Sequence, residues 1–368
     1  MDRGGERLKG AVGFVQPGRR RETACNAANR ANRCGVCARK EWSYNMKLTL
    51  QGLGEIEAAD FLEKESSGGV FHAGRDGVQR VLSTYDRKVD FIQFADKTLA
   101  HVHSAMGYPA LYPVNRPAYA GGALAVLMDL DGTSVHSERF WIWIIEKTLA
   151  ELMGDPRFSL QEKDLPFVSG HSVSEHLQYG IDAYCPGKKV EEARAIYFRL
   201  TEEELDKIME GRGYPDAFVP APQLKEFLLK LKERKIRVGL VTSGLREKAW
   251  PEILSAFRTM QMGDPLQYYD AIITAGTAIK KGQTGTLGEL APKPHPWLYA
   301  EALRVGLGID NTDKARVLGM EDSSAGALSL TLAGIQCAGV EGGNIEKGRV
   351  GSLCLTNGCR LMEVLELL

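Results

Sequence analysis

The sequence lacks long hydrophobic runs and has little cysteine. No apolar stretch approaches the ~18 residues that a membrane span requires. The longest apolar piece near the start, around Ala11–Val15, is too short for a signal-peptide core. The seven cysteines are scattered and odd in number, which excludes a disulfide-stapled scaffold. These absences predict a protein of a reducing, cytoplasmic compartment with no membrane partner.

Net charge is also nearly absent, at -1 for 368 residues. Residues 1–40 contain ten basic and three acidic side chains, so the remainder is mildly acidic. This distribution argues against a nucleic-acid-binding body. The content of 44% hydrophobic and 25% charged residues is typical of soluble globular proteins, and the length predicts two or three domains.

Residues 1–45 show no sustained hydrophobic periodicity and are rich in Arg, Asn, Gly and Ala. We expect them to be disordered or to precede the native start, because Met46 opens the first segment with an ordinary composition. Cys25, Cys34 and Cys37 resemble half of a zinc site. A fourth ligand at a normal spacing is missing, so no metal is predicted there.

Residues 46–120 form an N-terminal extension of unknown function, which we predict to be partly helical. Apolar residues between Val89 and Met106 suggest one helix. His101 and His103 are two residues apart, a spacing that a helix does not place on one face. They are therefore predicted to be surface residues without chemistry.

The most informative segment is an apolar run that ends in two acids. Ala123–Met128 leads directly into Asp129, Leu130, Asp131 and Gly132. A continuous apolar run of this length is typical of a strand buried on both faces, as in parallel sheets. Alternate residues of a strand share a face, so both carboxylates should project together where ligands of open α/β sheets bind.

The rest of the chain alternates between helical and strand patterns after a helical interval. A helix is predicted to open at Ser137, residues 146–215 are amphipathic and helical, and the later pattern predicts a parallel sheet with right-handed crossovers. We therefore predict an α/β, Rossmann-like doubly wound parallel sheet, formed by residues 121–145 and 216–368, with an inserted α-helical cap over 146–215. The later helices are predicted at Pro222–Lys235, Glu247–Met260, Pro296–Val305 and Ser323–Leu332, and the strands at Ile236–Val241, Ala271–Thr274, Ala315–Leu318 and Ile335–Val340.

Four short segments at predicted strand ends carry polar groups suited to phosphoryl chemistry. They are Asp129-Leu130-Asp131-Gly132-Thr133, Thr242-Ser243-Gly244, Lys293, and Glu321-Asp322-Ser323. With these four segments in this order, the sequence resembles the haloacid dehalogenase-like superfamily of phosphohydrolases. The resemblance is to the branch with a helical cap, which includes β-phosphoglucomutase-like and phosphoglycolate phosphatase-like proteins.

The resemblance implies a role for each polar group. Asp129 matches the nucleophile that forms an aspartyl-phosphate, and Asp131 matches the general acid and base. Thr242 and Lys293 would stabilise the transferring phosphoryl group, helped by the N–H groups of Ser243 and Gly244. The implied cofactor is Mg²⁺. Its predicted ligands are Asp129, the backbone carbonyl of Asp131, Asp322 and, as a further ligand or in the layer behind, Glu321.

Residues in and near the predicted cap help to distinguish a phosphatase of this family from a sugar phosphomutase. Val173 stands where the sugar phosphomutase has an arginine, which favours a phosphatase over the mutase. His136 stands where the family usually has Asp. The candidates for contact with the substrate's leaving group are His171, Ser172, Glu175 and His176. We predict a mobile loop near the mouth of the site over Lys280–Gly285.

Three hypotheses for function follow from the sequence. The first is a Mg²⁺-dependent phosphatase that acts on a small phosphorylated metabolite, such as a sugar phosphate. The second is a sugar phosphomutase of the same fold. The third is a non-catalytic binding protein in which residues 1–120 recruit a partner. The substrate, the protein partners and the oligomeric state stay open at this point.

Overall fold

The computed structural model describes residues 46–103, 109–167, 173–214, 216–276 and 290–368. The disorder predicted for residues 1–45 and the loop predicted at Lys280–Gly285 lie outside the described residues. The helices in the described ranges are each too short or too polar to cross a membrane.

Residues 46–113 form β structure almost throughout their described part. Strands β3, β6, β7, β8 and β9 make an antiparallel sheet in that order, and β1–β2 and β4–β5 are two separate antiparallel pairs. The strands are β1 (Lys47–Leu50), β2 (Gly54–Glu57), β3 (Phe61–Lys64), β4 (Ser66–Ser67), β5 (Phe71–His72), β6 (Arg80–Thr84), β7 (Val89–Gln93), β8 (Thr98–Val102) and β9 (Ala110–Pro113).

The helix predicted over Val89–Met106 is wrong, because this stretch contains strands β7 and β8. Four consecutive residues of β7 are buried, so both faces of the strand are covered and its alternation is hidden. The same correction reverses the expectation for His101 and His103. Residues two apart in an extended chain share a face, and the two imidazole rings lie 4.2 Å apart, centroid to centroid.

The parallel sheet predicted for the second part of the chain is confirmed. Six strands run in the order β14-β13-β10-β15-β16-β17, and each neighbouring pair is parallel. Alternate residues of β10 face two different apolar clusters, Met128 one and Leu127 the other, as a doubly wound sheet requires. The strands are β10 (Ala125–Asp129), β11 (Val135–His136), β12 (Val219–Pro220), β13 (Arg237–Val241), β14 (Ala271–Ile273), β15 (Val317–Glu321), β16 (Gln336–Val340) and β17 (Thr356–Cys359).

The helices before residue 340 lie where the periodicity predicted them, with ends shifted by a few residues, whereas the short helix Leu361–Val364 was not predicted. A short π-helical turn over Ala302–Gly306 continues the sixth helix. The helices are α1 (Glu138–Met153), α2 (Val173–Tyr184), α3 (Val190–Met209), α4 (Leu224–Glu233), α5 (Arg246–Thr259), α6 (Trp297–Glu301), α7 (Ser324–Ala333) and α8 (Leu361–Val364).

Helices α1, α2 and α3 form the helical insertion after the first strand of the parallel sheet. Helix α1 is continuous from Glu138 to Met153, so the boundary predicted between residues 145 and 146 falls inside it. The short strands β11 and β12 pair antiparallel, with Val135 opposite Pro220. The outgoing and returning connections of the insertion are therefore held side by side.

The N-terminal sheet packs against the parallel-sheet domain through a shared apolar core. Phe91 and Val102 of the sheet belong to the same buried cluster as Leu298 of α6 and Leu328 of α7. A polar contact reinforces this packing, since Tyr112 Oη lies 2.8 Å from His295 Nδ1. The two regions thus share one core.

Candidate active site

The predicted polar segments meet at the carboxyl ends of three adjacent strands. Asp129 is the last residue of β10, Glu321 is the last residue of β15, and Thr242 follows β13 directly. Strand β10 is paired with both of the others, and all three run parallel. The topology alone therefore brings these side chains to one edge of the sheet.

Lys293 connects two of the carboxylates. Its ammonium group donates to Asp129 Oδ1 and lies 2.6 Å from Glu321 Oε1, and its side chain is only 7% exposed. Burial by itself lowers the pKa of Lys293, but the two carboxylates outweigh burial and raise it. The lysine is therefore held as a cation in the floor of the site.

Glu321 is fully buried and already surrounded by donors. Besides Lys293, Tyr299 Oη donates to Oε1 at 2.5 Å and Ser323 Oγ donates to Oε2 at 2.9 Å. Gly326 makes room for this carboxylate, because a Cβ there would lie 1.8 Å from its carboxyl carbon. Both oxygens of Glu321 are thus engaged within the protein.

Asp322 lies beside the turn that follows β10. Thr133 Oγ1 donates to Asp322 Oδ1 at 3.4 Å. Gly132 has a φ of +90°, and a Cβ on it would lie 2.2 Å from Asp322 Oδ2. The turn therefore requires glycine for its backbone conformation and for the space that the aspartate fills.

The acidic residues of this edge are close enough to share one cation. Asp129, Glu321 and Asp322 each offer an oxygen within 4.8 Å of the others. Burial and the charge of Glu321 raise the pKa of Asp129 well above its usual range, and they raise the pKa of Asp322 to about 7. Oxygen ligands with excess buried negative charge fit a hard divalent cation.

Asp131 has different surroundings from Asp129. Ser137 Oγ donates to Asp131 Oδ1 at 2.8 Å, and Thr242 Oγ1 lies 3.4 Å from Oδ2. Lys248 Nζ is 3.5 Å from Oδ1. Burial on its own raises the pKa of Asp131, but the Lys248 charge and the Ser137 hydrogen bond outweigh burial and lower it. The environments thus push the pKa values of Asp129 and Asp131 in opposite directions.

Sequence reasoning missed Lys248 and Glu252, which extend the site along α5. Lys248 Nζ is 3.7 Å from Glu252 Oε1 and 4.4 Å from the ring centroid of Trp141. Glu252 is fully buried, and its oxygens accept no hydrogen bond from the described residues. The sequence does contain a signal for this pair. The two residues are four apart on a helix that begins just after Thr242, and this spacing places both side chains on one face.

The structure describes only some of the remaining predicted site residues. Gly244 N–H donates to Thr242 Oγ1 at 2.9 Å and so closes the turn after β13, while Ser243 Oγ accepts from Lys293 N–H at 3.2 Å. His171 and Ser172 lie outside the described residues. Glu175 lies in α2, with a side chain that also falls outside the description, and His176 lies in the same helix. His136, in β11, is exposed.

The solved structures to which this chain is similar include the following three. A subfamily IA hydrolase of the haloacid dehalogenase superfamily from Geobacter sulfurreducens is 19% identical over 67% of this chain and 97% of its own, with a TM-score of 0.47. A predicted phosphoglycolate phosphatase from Haemophilus somnus is 17% identical over 66% and 97%, with a TM-score of 0.47. CbbY from Rhodobacter sphaeroides, in complex with phosphate, is 20% identical over 60% and 87%, with a TM-score of 0.41.

Family membership is decided by the sequence itself. No curated protein matches the chain. The profile of the haloacid dehalogenase-like hydrolases matches residues 126–340, which is more than half of the chain and spans all four polar segments. The protein belongs to the haloacid dehalogenase-like hydrolase family.

Proposed function

We propose that the protein is a Mg²⁺-dependent phosphomonoester hydrolase that acts on a small phosphorylated metabolite, such as a sugar phosphate. The observation that carries this proposal is the convergence of Asp129, Asp131, Thr242 and Lys293 at one edge of the parallel sheet. This set combines a nucleophile, a second carboxylate for proton transfer and a buried cation. Those are the three groups that phosphoryl transfer through an enzyme-bound intermediate requires.

In the proposed reaction, a carboxylate oxygen of Asp129 attacks phosphorus, and the bond from phosphorus to the leaving oxygen breaks. Asp131 donates a proton to that oxygen, which leaves as an alcohol; the negative charge of the bound phosphate ester raises the pKa of Asp131 and lets it hold this proton. Asp131 then removes a proton from water, and the resulting hydroxide attacks the phosphorus of the aspartyl-phosphate. Inorganic phosphate departs, and the Asp129 carboxylate is restored. Lys293 and the Thr242 hydroxyl meet the negative charge on the phosphoryl oxygens.

Asp129, Asp322 and the backbone carbonyl of Asp131 are the groups that would hold Mg²⁺. Glu321 belongs in the layer behind them, because Lys293, Tyr299 and Ser323 already occupy its oxygens. When bound, the ion would supply positive charge that offsets the buried carboxylates and the phosphate oxygens, and it would lower the pKa of Asp129 so that this nucleophile is ionised.

The test is phosphate release from a panel of small phosphomonoesters with and without Mg²⁺, comparing the wild type with Asp129→Asn. We expect metal-dependent release that falls by at least about 10³-fold in the variant, because an amide cannot act as the nucleophile. Asp206→Asn is the matched control, since it makes the same change at an exposed position of α3. It should leave the rate unchanged.

Two outcomes would contradict the proposal. Interconversion of sugar-phosphate isomers without net phosphate release would identify the phosphomutase. A folded protein with Mg²⁺ that neither releases phosphate nor interconverts isomers would favour the non-catalytic binding protein.

A further inference from the structure

We propose that Asp90, His101 and His103 of the N-terminal sheet bind one divalent transition-metal ion of the zinc class. Each of the three residues offers a ligand atom within 4.8 Å of the others. The site is separate from the carboxylates of the parallel sheet, and the proposal does not depend on the proposed hydrolase function.

Two adjacent strands bring the three residues together. Asp90 of β7 is paired with His101 of β8, and His103 follows β8 directly. The His103 backbone N–H donates to Lys88 O at 2.8 Å, so the ladder continues through this residue. The sheet therefore fixes the spacing of the three side chains before any ion binds, which lowers the entropic cost of assembling the site.

Contacts within the sheet orient the two imidazoles and leave ligand atoms on each. His101 Nδ1 lies 2.8 Å from Ser67 Oγ, and His103 Nε2 lies 2.7 Å from Asp90 Oδ2. The Ser67 contact fixes the direction of the His101 ring and leaves its Nε2 without a hydrogen-bond partner among the described residues. His103 Nε2 itself faces the Asp90 carboxylate, so it is the atom that an ion between the two side chains would contact.

Asp90 is the least expected member of this group. Its side chain is fully buried, and Oδ2 accepts from both His103 and Lys64, whose Nζ is 2.8 Å away. No described donor makes a hydrogen bond of good geometry to Oδ1, although the hydroxyls of Ser83 and Ser67 lie near enough to lower the pKa of the carboxyl. Burying a carboxylate oxygen without a partner is costly. An ion bonded to this carboxylate would remove that cost and leave Lys64 as an outer hydrogen-bond donor.

The protonation states suit a metal site as well. Burial raises the pKa of Asp90, but Lys64 and the other donors outweigh burial and lower it, so the carboxylate is ionised at neutral pH. Burial lowers the pKa of His101, so this imidazole is neutral. Metal ligands must be deprotonated in this way.

The ligand types select the class of ion. Two imidazoles and one carboxylate are the ligands of zinc sites that keep a fourth position for water, whereas Mg²⁺ prefers oxygen ligands only. Ligand atoms on one tetrahedral zinc lie about 3.3 Å apart. The direct contact between His103 and Asp90 would therefore lengthen by less than an ångström. The His103 side chain is 31% exposed, which leaves a path for the ion to enter.

The experiment is a Zn²⁺ titration of the full, chelator-treated chain in excess Mg²⁺, which competes for the carboxylates of the parallel sheet but not for imidazoles. We expect the wild type to bind one zinc equivalent more than the His101→Gln/His103→Gln double variant, which should bind that equivalent at least about 100-fold more weakly; zinc held by the cysteines of residues 1–45 would be common to both proteins. His136→Gln is the matched control, since it removes an exposed histidine between the sheet and the helical insertion. It should retain the site.

A second measurement on the wild type covers the case in which the double variant does not fold. Chemical modification of histidines, mapped by mass spectrometry, should be slowed by Zn²⁺ at His101 and His103 but not at His136. The proposal is overturned if the wild type binds no zinc in excess Mg²⁺. It is also overturned if the folded double variant binds zinc as the wild type does, or if Zn²⁺ does not protect the two histidines.

Discussion

At the scale of single residues, the candidate site is a contrast between two aspartates of one strand end. Asp129 is buried beside other carboxylates, and burial together with their repulsion raises its pKa. Asp131 faces Lys248 and the Ser137 hydroxyl, which lower its pKa. The motif Asp-x-Asp could be predicted from the sequence, but its electrostatic surroundings could not. Lys248 and Glu252 come from α5, far along the chain, and only the packing of that helix brings them to Asp131.

Lys248→Met is expected to slow turnover and to shift the pH dependence of the rate. Without the ammonium group, the pKa of Asp131 rises, so the part of the pH–rate profile that Asp131 controls moves to higher pH. We expect kcat to fall roughly 10-fold or more, with little change in KM, because Asp131 loses the ion pair that holds it in place and is less often ionised when it must remove a proton from water.

Lys248→Arg is the matched variant, since it keeps a cation at this position and should recover most of the rate. An unshifted profile in a folded Lys248→Met protein would show that Lys248 has no influence on Asp131.

Asp322 makes the stability of the metal-free protein depend on pH. Its pKa is raised from 3.8 to about 7 in the folded state, so the unfolded chain loses this proton at lower pH than the folded one does. The stabilising contribution of the protonated group is therefore lost as the pH rises from about 4 to about 7. We expect Tm to fall over that interval.

Thermal unfolding in a chelating buffer, followed by circular dichroism, measures this effect. The fall in Tm should be smaller in Asp322→Asn, which cannot ionise, and unchanged in Asp206→Asn. The same change of Tm with pH in the wild type and in Asp322→Asn would contradict the contribution assigned to Asp322.

At the scale of elements, the strands that carry the site can be predicted from the sequence because their hydrophobic pattern fits only one kind of element. The run from Ala123 to Met128 is apolar throughout and ends in acids and a glycine, which matches a strand buried on both faces. The helix predicted from Val89 onward is wrong. Strand β7 is also buried on both faces, but a polar residue, Asp90, occupies one of its buried positions and breaks the apolar run. Tertiary packing, which local sequence does not encode, decided that case.

The turn after β10 leads to a prediction for Gly132→Ala, a substitution that adds a single Cβ atom. Gly132→Ala must adopt a φ of +90° and must displace Asp322, whose Oδ2 would lie 2.2 Å from the new atom. We expect a loss of about 1–3 kcal/mol in the free energy of unfolding, together with a large loss of phosphatase activity and of Mg²⁺ affinity.

Gly121→Ala separates backbone strain from displacement of the aspartate. Gly121 has a φ of +74°, but its added Cβ would meet nothing within 4 Å. This variant should lose some stability and keep its activity. Equal activity in the two variants would contradict the role given to the space beside Asp322.

At the scale of the whole molecule, the N-terminal sheet shares one of the two apolar clusters of the parallel-sheet domain. Phe91→Ala should therefore destabilise both regions together, by about 3–5 kcal/mol, because it leaves a cavity in that common core. Calorimetry should show one transition, shifted to lower temperature, with activity lost in the same range.

Leu111→Ala is the control for this change, because Leu111 belongs to the same sheet but is 46% exposed. It should alter Tm little. Two separate transitions in Phe91→Ala, with the parallel-sheet domain melting at its original temperature, would mean that the regions fold independently.

The pairing of β11 with β12 has a consequence for how this protein can change. Since the entrance and the exit of the helical insertion lie next to each other, residues can be gained or lost between them without moving Thr133 or Asp131. The entropy of closing such an excursion grows only slowly with its length. Evolution is thus free to lengthen, shorten or reshape the helical insertion, while the side chains at the carboxyl edge of the parallel sheet keep their positions.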